Sequence, residues 1–242
     1  MNDSLTYMSM DSYFRGSNHN LLSFVTMYAY SENYILPLSH DEVVHGKHSL
    51  IDKMFGTYDE KFSAYKAFLG YYMSMCGKKL MFMGGEIGQF LEWRFDDQLE
   101  WNVLEIEKHK RLLQYVKDLN GFYLENPALW ELDQDWHGFE WINGDDKDNS
   151  VYSYIRRNEK EEIVVVVNFS PINVPVYELG VTQEGTYEVV LHSNSSKYGG
   201  TRKIGKKTFK TRKEPKNCQE YSLKLFADAY SVMYLKRIKE SK

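Results

Sequence analysis

The chain has 242 residues, 43% hydrophobic and 26% charged, with a formal net charge of −4. That balance excludes an extended disordered chain and a long coiled coil, and the negative sign leaves a nucleic-acid partner without electrostatic support. No stretch approaches the roughly 18 apolar residues that a membrane span needs, so no membrane partner is expected.

Residues 18–30, "NHNLLSFVTMYAY", carry apolar side chains at helical spacing and predict a helix. Asn33 to Ser39 reads as a short buried strand, with Pro37 marking a strand end or bulge. After a polar, Gly-containing loop, "YDEKFSAYKAFLGYYMSMCG" reads as a helix, with Asp59 and Glu60 in its first turn and Gly77 past its end. Lys78 to Gly85, "KKLMFMGG", is a second short buried run. Strand, loop, helix, strand is a βαβ unit, in which the strands are parallel and the crossover right-handed. Another helix is predicted from about Glu105 to Glu125, stopping at Asn126-Pro127.

Beyond Pro127 the texture changes. "FEWIN", "SVYSYIRR", "EEIVVVVNFS", "VPVYELGV", "TYEVVLHS" and "AYSVMYLKRI" are short β-branched or aromatic runs between turn clusters. They predict an antiparallel all-β domain, with a boundary near residues 127–137. The basic segment Lys197 to Lys216 is broken by Gly, Thr and Phe and reads as a solvated face. Met1 to Ser4 lacks the positive and apolar regions of a secretory leader. Cys76 and Cys218 match no disulfide or metal spacing, which fits a reducing cytoplasm. The 19 Tyr and 5 Trp exceed what such a core requires and are compatible with a surface that faces sugars.

The densest chemistry lies in "ILPLSHDEVVHGK", which sets down His40, Asp41, Glu42, His45 and Lys47. A metal site is disfavoured: the two histidines are five apart, about 140° around a helix, and no further ligand cluster follows. A nucleophilic triad lacks a G-x-S-x-G elbow or an activated cysteine. The stretch does follow the first strand of a βαβ unit, where α/β proteins gather catalytic groups. The second strand ends likewise in Glu86, then Trp93, Arg94, Asp96 and Asp97. Spacing alone leaves two readings open. Either these groups face one functional mouth, or Asp41 and Glu42 cap the next element and His45 fills a loop. His19, His109, His137 and His192 read as ordinary structural residues.

"ENYILPLSHDEVVHGK" resembles the seventh-strand motif of the 1,4-α-glucan (glycogen) branching enzymes of the α-amylase superfamily. "GKKLMFMGGEIGQFLEWRFDDQLEW" resembles their eighth strand and the loop after it. "MNDSLTYM" resembles the segment past their sixth strand, and "HGFEWINGDDKDNSVYSYIRR" the start of their C-terminal β-domain. The likeness covers most of residues 1–170; His48 and Ile87 depart from the pattern. It implies an α/β plus all-β chain: residues 1–127 as the C-terminal part of a (β/α)8 barrel, strands seven and eight with their helices, then residues 128–242 as an antiparallel β-sandwich domain. It also implies the activity, cleavage of an α-1,4-glucan with transfer of the chain to a 6-hydroxyl, and hence glycogen or α-1,4-glucan as partner and no cofactor. By motif match Asp41 is the transition-state-stabilising carboxylate and His40 its neighbour in the sugar site. Trp93, Trp101 and Glu86 become candidates for sugar contact, with Glu86 also suited to tying neighbouring loops. Glu42, His45 and Lys47 become the groups that fix the loop carrying Asp41. The family's nucleophile and acid/base are expected upstream of Met1, in an N-terminal part that would be a further partner. The alternatives are another hydrolase or transglycosylase of the superfamily, or a non-catalytic glucan-binding module.

Overall fold

The computed structural model describes residues 1–203, 205 and 207–238. The N-terminal third holds three short helices, α1 (Asn2–Ser9), α2 (Ser12–Arg15) and α3 (Asn20–Ser23). The single helix expected over 18–30 is instead broken into a 3-10 turn at Gly16–Asn18, α3, and a second 3-10 turn at Phe24–Met27. Side chains from distant elements take over its carbonyls: Tyr152 donates to His19 O and Tyr71 to Leu22 O, both at 2.9 Å. The His19 ring then stacks flat on Tyr152, with centroids 3.8 Å apart. Tertiary contacts of this kind override a local helical period.

β1 (Ile35–Leu38), α4 (Tyr58–Ser74) and β2 (Lys78–Met81) form the expected βαβ unit, with β1 and β2 parallel. Both strands are less buried than their sequences suggest. β1 hides Leu36 and Leu38 but exposes Ile35 and Pro37, and Leu80 of β2 is exposed. The pair forms a two-stranded sheet, so each strand has an open edge, which is where proline is tolerated. The Tyr72 hydroxyl sits between the strands, accepting from Leu80 N at 2.6 Å and donating to Leu36 O at 3.0 Å.

α4 starts at a capping box. The Glu60 carboxylate accepts from Thr57 N at 2.8 Å and from its hydroxyl at 2.7 Å, and Thr57 Oγ1 accepts from Glu60 N. These bonds hold the Glu60 carboxyl below its ordinary range. From Phe62 onward α4 is buried almost all round, as expected of a helix with partners on every side. At Gly70 it meets β10 (Ser231–Arg237) so closely that a Cβ would overlap Val232 Cγ1. There Tyr234 donates its hydroxyl to Gly70 O at 2.5 Å. α5 (Glu107–Glu125) packs beside α4.

The remaining strands are β3 (Phe139–Asp146), β4 (Val151–Arg157), β5 (Glu162–Asn168), β6 (Val174–Val181), β7 (Thr186–His192), β8 (Thr208–Lys210) and β9 (Tyr221–Ala227). An antiparallel six-stranded sheet runs β3-β4-β5-β10-β7-β8, and β6 pairs with β9 as a second, two-stranded sheet. β8 and β9 were not legible as strands in the sequence. The uninterrupted apolar run in β5 has a simple cause: Val164 and Val166 face a core shared with β6 and β9, while Ile163, Val165 and Val167 face a core shared with α4 and α5. That second core includes Leu5, Leu38, Phe68, Tyr115 and Tyr234, so it runs across the texture change near residue 127.

Candidate active site

The site begins where β1 ends. Ser39 caps a 3-10 turn over His40–Glu42. The Glu42 carboxylate accepts from Ser39 N at 2.6 Å and Ser39 Oγ at 2.8 Å, closing a second capping box. The capping alternative therefore holds for Glu42 and fails for Asp41. The Asp41 side chain points outward, 73% exposed, with His40 Nε2 at 3.4 Å from its Oδ1. Lys47 Nζ donates to the Asp41 carbonyl at 2.8 Å, which ties the turn from the far side of the loop.

β2 supplies the other wall. Trp93 N donates to Val43 O at 3.0 Å, bringing the loop after β2 onto the loop after β1. The Trp93 ring stands edge-on to Phe82, with centroids 5.2 Å apart, and His40 packs against both rings. Thus the imidazole is oriented by aromatic edges on one side and the Asp41 carboxylate on the other. Beside them opens a cleft of about 1140 Å³, lined by Thr6 and Ser9 of α1 together with Asp41, Glu42, Lys47 and Lys53. Deeper in the loop, Asp52 pairs with Lys61 at 2.7 Å and with His48 Nδ1 at 2.9 Å. Burial raises the Asp52 carboxyl, but the bonds from Lys61 and His48 outweigh it and hold the group below the ordinary range.

Residues 141–238 match the sequence family described as "Alpha amylase, C-terminal all-beta domain". Over 238 residues the chain is 44% identical to the 1,4-alpha-glucan branching enzyme of Desulfitobacterium hafniense, covering 98% of this chain and 38% of that protein. The branching enzyme of Halothermothrix orenii is 41% identical over 242 residues, covering 99% of this chain and 38% of its own length. Over almost its whole length the chain is similar to glucan branching enzymes. It spans 38% of the length of these relatives. Among solved structures, the alpha-amylase from H. orenii aligns with a TM-score of 0.56 at 17% identity, covering 98% of this chain and 46% of that one. AmyP in complex with maltotriose also aligns at 0.56, with 15% identity over 79% of this chain and 38% of the other. At such identities the likeness is one of fold: residues 141–238 are the antiparallel all-β domain of α-amylases.

Within this chain the expected residues divide clearly. His40, Asp41, Glu42, Lys47 and Trp93 converge on one loop pair. Trp101 lies apart from them, 53% exposed in a 3-10 turn at Trp101–Glu105. His45 is exposed, and its side chain makes no hydrogen bond among the described residues; it serves the loop through a left-handed backbone, φ 58°. Glu86 is half-buried and likewise makes no side-chain hydrogen bond among the described residues, so it does not tie the loops together. Glu92 does that work, and the sequence reading missed it. Its two oxygens accept from Gly46 N at 3.0 Å and His48 N at 2.6 Å. No local pattern announces a contact between residues 44 and 46 positions apart. Among the described residues no three or more His, Cys, Asp or Glu side chains cluster so as to hold a metal ion. No helix among them is long and apolar enough to cross a membrane.

Proposed function

We propose that these residues are the C-terminal segment of an enzyme that cleaves an α-1,4-glucan and transfers the cleaved chain to a 6-hydroxyl, forming α-1,6 branches in glycogen. One observation carries the assignment of the site: among the carboxylates around this loop, Glu42, Asp52 and Glu92 are committed to hydrogen bonds within the protein, whereas the Asp41 side chain is 73% exposed in a residue that lines the cleft. Glycosidic cleavage passes through an oxocarbenium-like transition state. A fixed carboxylate beside the sugar stabilises the growing positive charge without bonding to it. Asp41 takes that part. His40 donates a hydrogen bond to a sugar hydroxyl, oriented for it by Phe82 and Trp93. Such contacts strengthen as the ring distorts, which is the condition for catalysis. Trp93 and Trp101 offer indole faces to pyranose rings, and Glu86 lies in the turns that follow β2. The nucleophile and the acid/base come from protein outside these residues, at the carboxyl ends of other strands of a (β/α)8 barrel to which β1 and β2 contribute the seventh and eighth. Residues 1–127 belong to that barrel and 128–242 to the β-domain. The relatives named as branching enzymes support this reading, as do the maltose- and maltotriose-bound neighbours of the fold.

The test uses a chimera in which this chain replaces the aligned segment of the D. hafniense enzyme. Branching alters the iodine colour of amylose without releasing reducing ends. Asp41→Asn is expected to lower turnover by at least about two to three decades, the scale of removing one stabilising group, with a much smaller change in glucan affinity. Turnover within tenfold of the parent would refute the assignment.

A further inference from the structure

We infer that Glu92 is a positioning residue for glucan transfer, acting on His40 and Asp41 through the backbone of residues 45–48; the inference rests on the role proposed for Asp41. Within residues 45–48 the chain enters the left-handed region three times, at His45 (φ 58°), Gly46 (φ 79°) and His48 (φ 65°). Only one of these is a glycine, so this loop conformation is not one the chain adopts unaided. Alternation into left-handed geometry turns nearby N–H groups toward one side and makes a concave anion seat. The seat is filled from within the protein: Glu92 Oε2 takes Gly46 N and Oε1 takes His48 N. Those two bonds hold the Glu92 carboxyl below its ordinary range.

From this seat the restraint passes to the site in short steps. Lys47 lies between the two clamped residues, and its Nζ reaches the Asp41 carbonyl at 2.8 Å. Lys53 braces the same segment, donating to the carbonyls of His48 and Lys47. Next to Glu92, Trp93 bonds Val43 through its backbone N–H and meets His40 with its ring. Residues 92 and 93 thus hold the loop after β1 at two points, either side of His45. The two bonds use both oxygens of Glu92, so the seat requires a carboxylate. A carboxamide offers one acceptor and turns an NH2 group toward the other N–H.

In the same chimera, Glu92→Gln and Glu92→Ala are each expected to lower kcat by about 10- to 100-fold, since displacements on the order of 1 Å far from the chemistry have effects of that size. KM for amylose is expected to stay within about threefold, because the substrate's own contacts remain. Glu92→Asp keeps both oxygens and should recover part of kcat. Hydrogen exchange at the Gly46 and His48 amides should accelerate in Glu92→Gln. If Glu92→Ala fails to accumulate as soluble protein, Glu92→Gln, of equal size, carries the test. Asp41→Asn is run in parallel. If Asp41→Asn is inactive while both Glu92→Gln and Glu92→Ala keep kcat, the positioning role is overturned and the reading of Asp41 stands. If Glu92→Gln matches the parent and only Glu92→Ala is slow, the need for two acceptors is overturned. If Asp41→Asn is fully active, both inferences fall together.

Discussion

Replacing Arg156 with methionine tests how the helical and all-β parts of the chain hold each other. Arg156 lies in β4 with no exposed surface. Its Nε donates to Gly138 O at 3.1 Å, one terminal nitrogen to Ser74 O at 2.6 Å, and the other to Asp133 Oδ1 at 2.7 Å. Ser74 is the last residue of α4, so the guanidinium also satisfies a helix-end carbonyl at the negative pole of the helix. Asp133 Oδ2 receives Lys78 Nζ of β2 at 3.2 Å. One cation therefore links β4, α4 and, through Asp133, β2. Methionine preserves much of the volume but leaves the Asp133 carboxylate buried, with Lys78 as its remaining charged partner. Breaking a buried pair from one side costs about 3–5 kcal/mol, most of it the penalty of the stranded charge. Removing both charges relieves that penalty, so Arg156→Met combined with Asp133→Leu should be well above the additive expectation, by on the order of 1–3 kcal/mol of coupling. Urea unfolding followed by tryptophan fluorescence and far-UV circular dichroism measures each variant. A loss below about 1 kcal/mol for Arg156→Met, or strictly additive effects in the cycle, would show that the ion pair does not join these elements.

Three further expectations follow from the same geometry. In the chimera, His40→Ala should reduce turnover by about 10- to 1000-fold, less than loss of Asp41, and His40→Gln should restore part of it because a donor remains. Lys66 of α4 is buried and donates to Tyr198 O at 2.8 Å, and burial lowers its ammonium from 10.5 to about 8. Between those values the unfolded state binds more protons, so this group makes stability rise with pH above about 8, by at most about 1.4 kcal/mol per pH unit. Urea midpoints from about pH 7.5 to 9.5 should show that component, and Lys66→Met should remove it; an unchanged slope would contradict the burial of a charged lysine. The 242-residue chain assayed alone should transfer no glucan, and measurable transfer by it would mean that a nucleophile lies among its own residues.

Much of this protein is determined within three or four residues of sequence. Thr57 with Glu60 and Ser39 with Glu42 cap their turns from their own neighbourhoods, so the start of α4 and the turn bearing Asp41 follow from local bonding. The continuous burial of β5 likewise needs only a strand with a core on each face. The motif around His40 and Asp41 could be read for the same reason, since its meaning lies in adjacent residue types. Tertiary structure decided the rest. The helical period of residues 18–30 gave way to turns because Tyr71 and Tyr152 take its carbonyls from distant elements. Glu86 and Glu92 are carboxylates of one loop, and only the folded chain distinguishes the one whose side chain makes no hydrogen bond among the described residues from the one that seats two backbone amides. Those amides lie 46 and 44 residues earlier in the chain. A hydrogen bond acts over about 3 Å of space and carries no memory of separation along the sequence, so a partner that far back becomes visible only when β1 and β2 lie side by side.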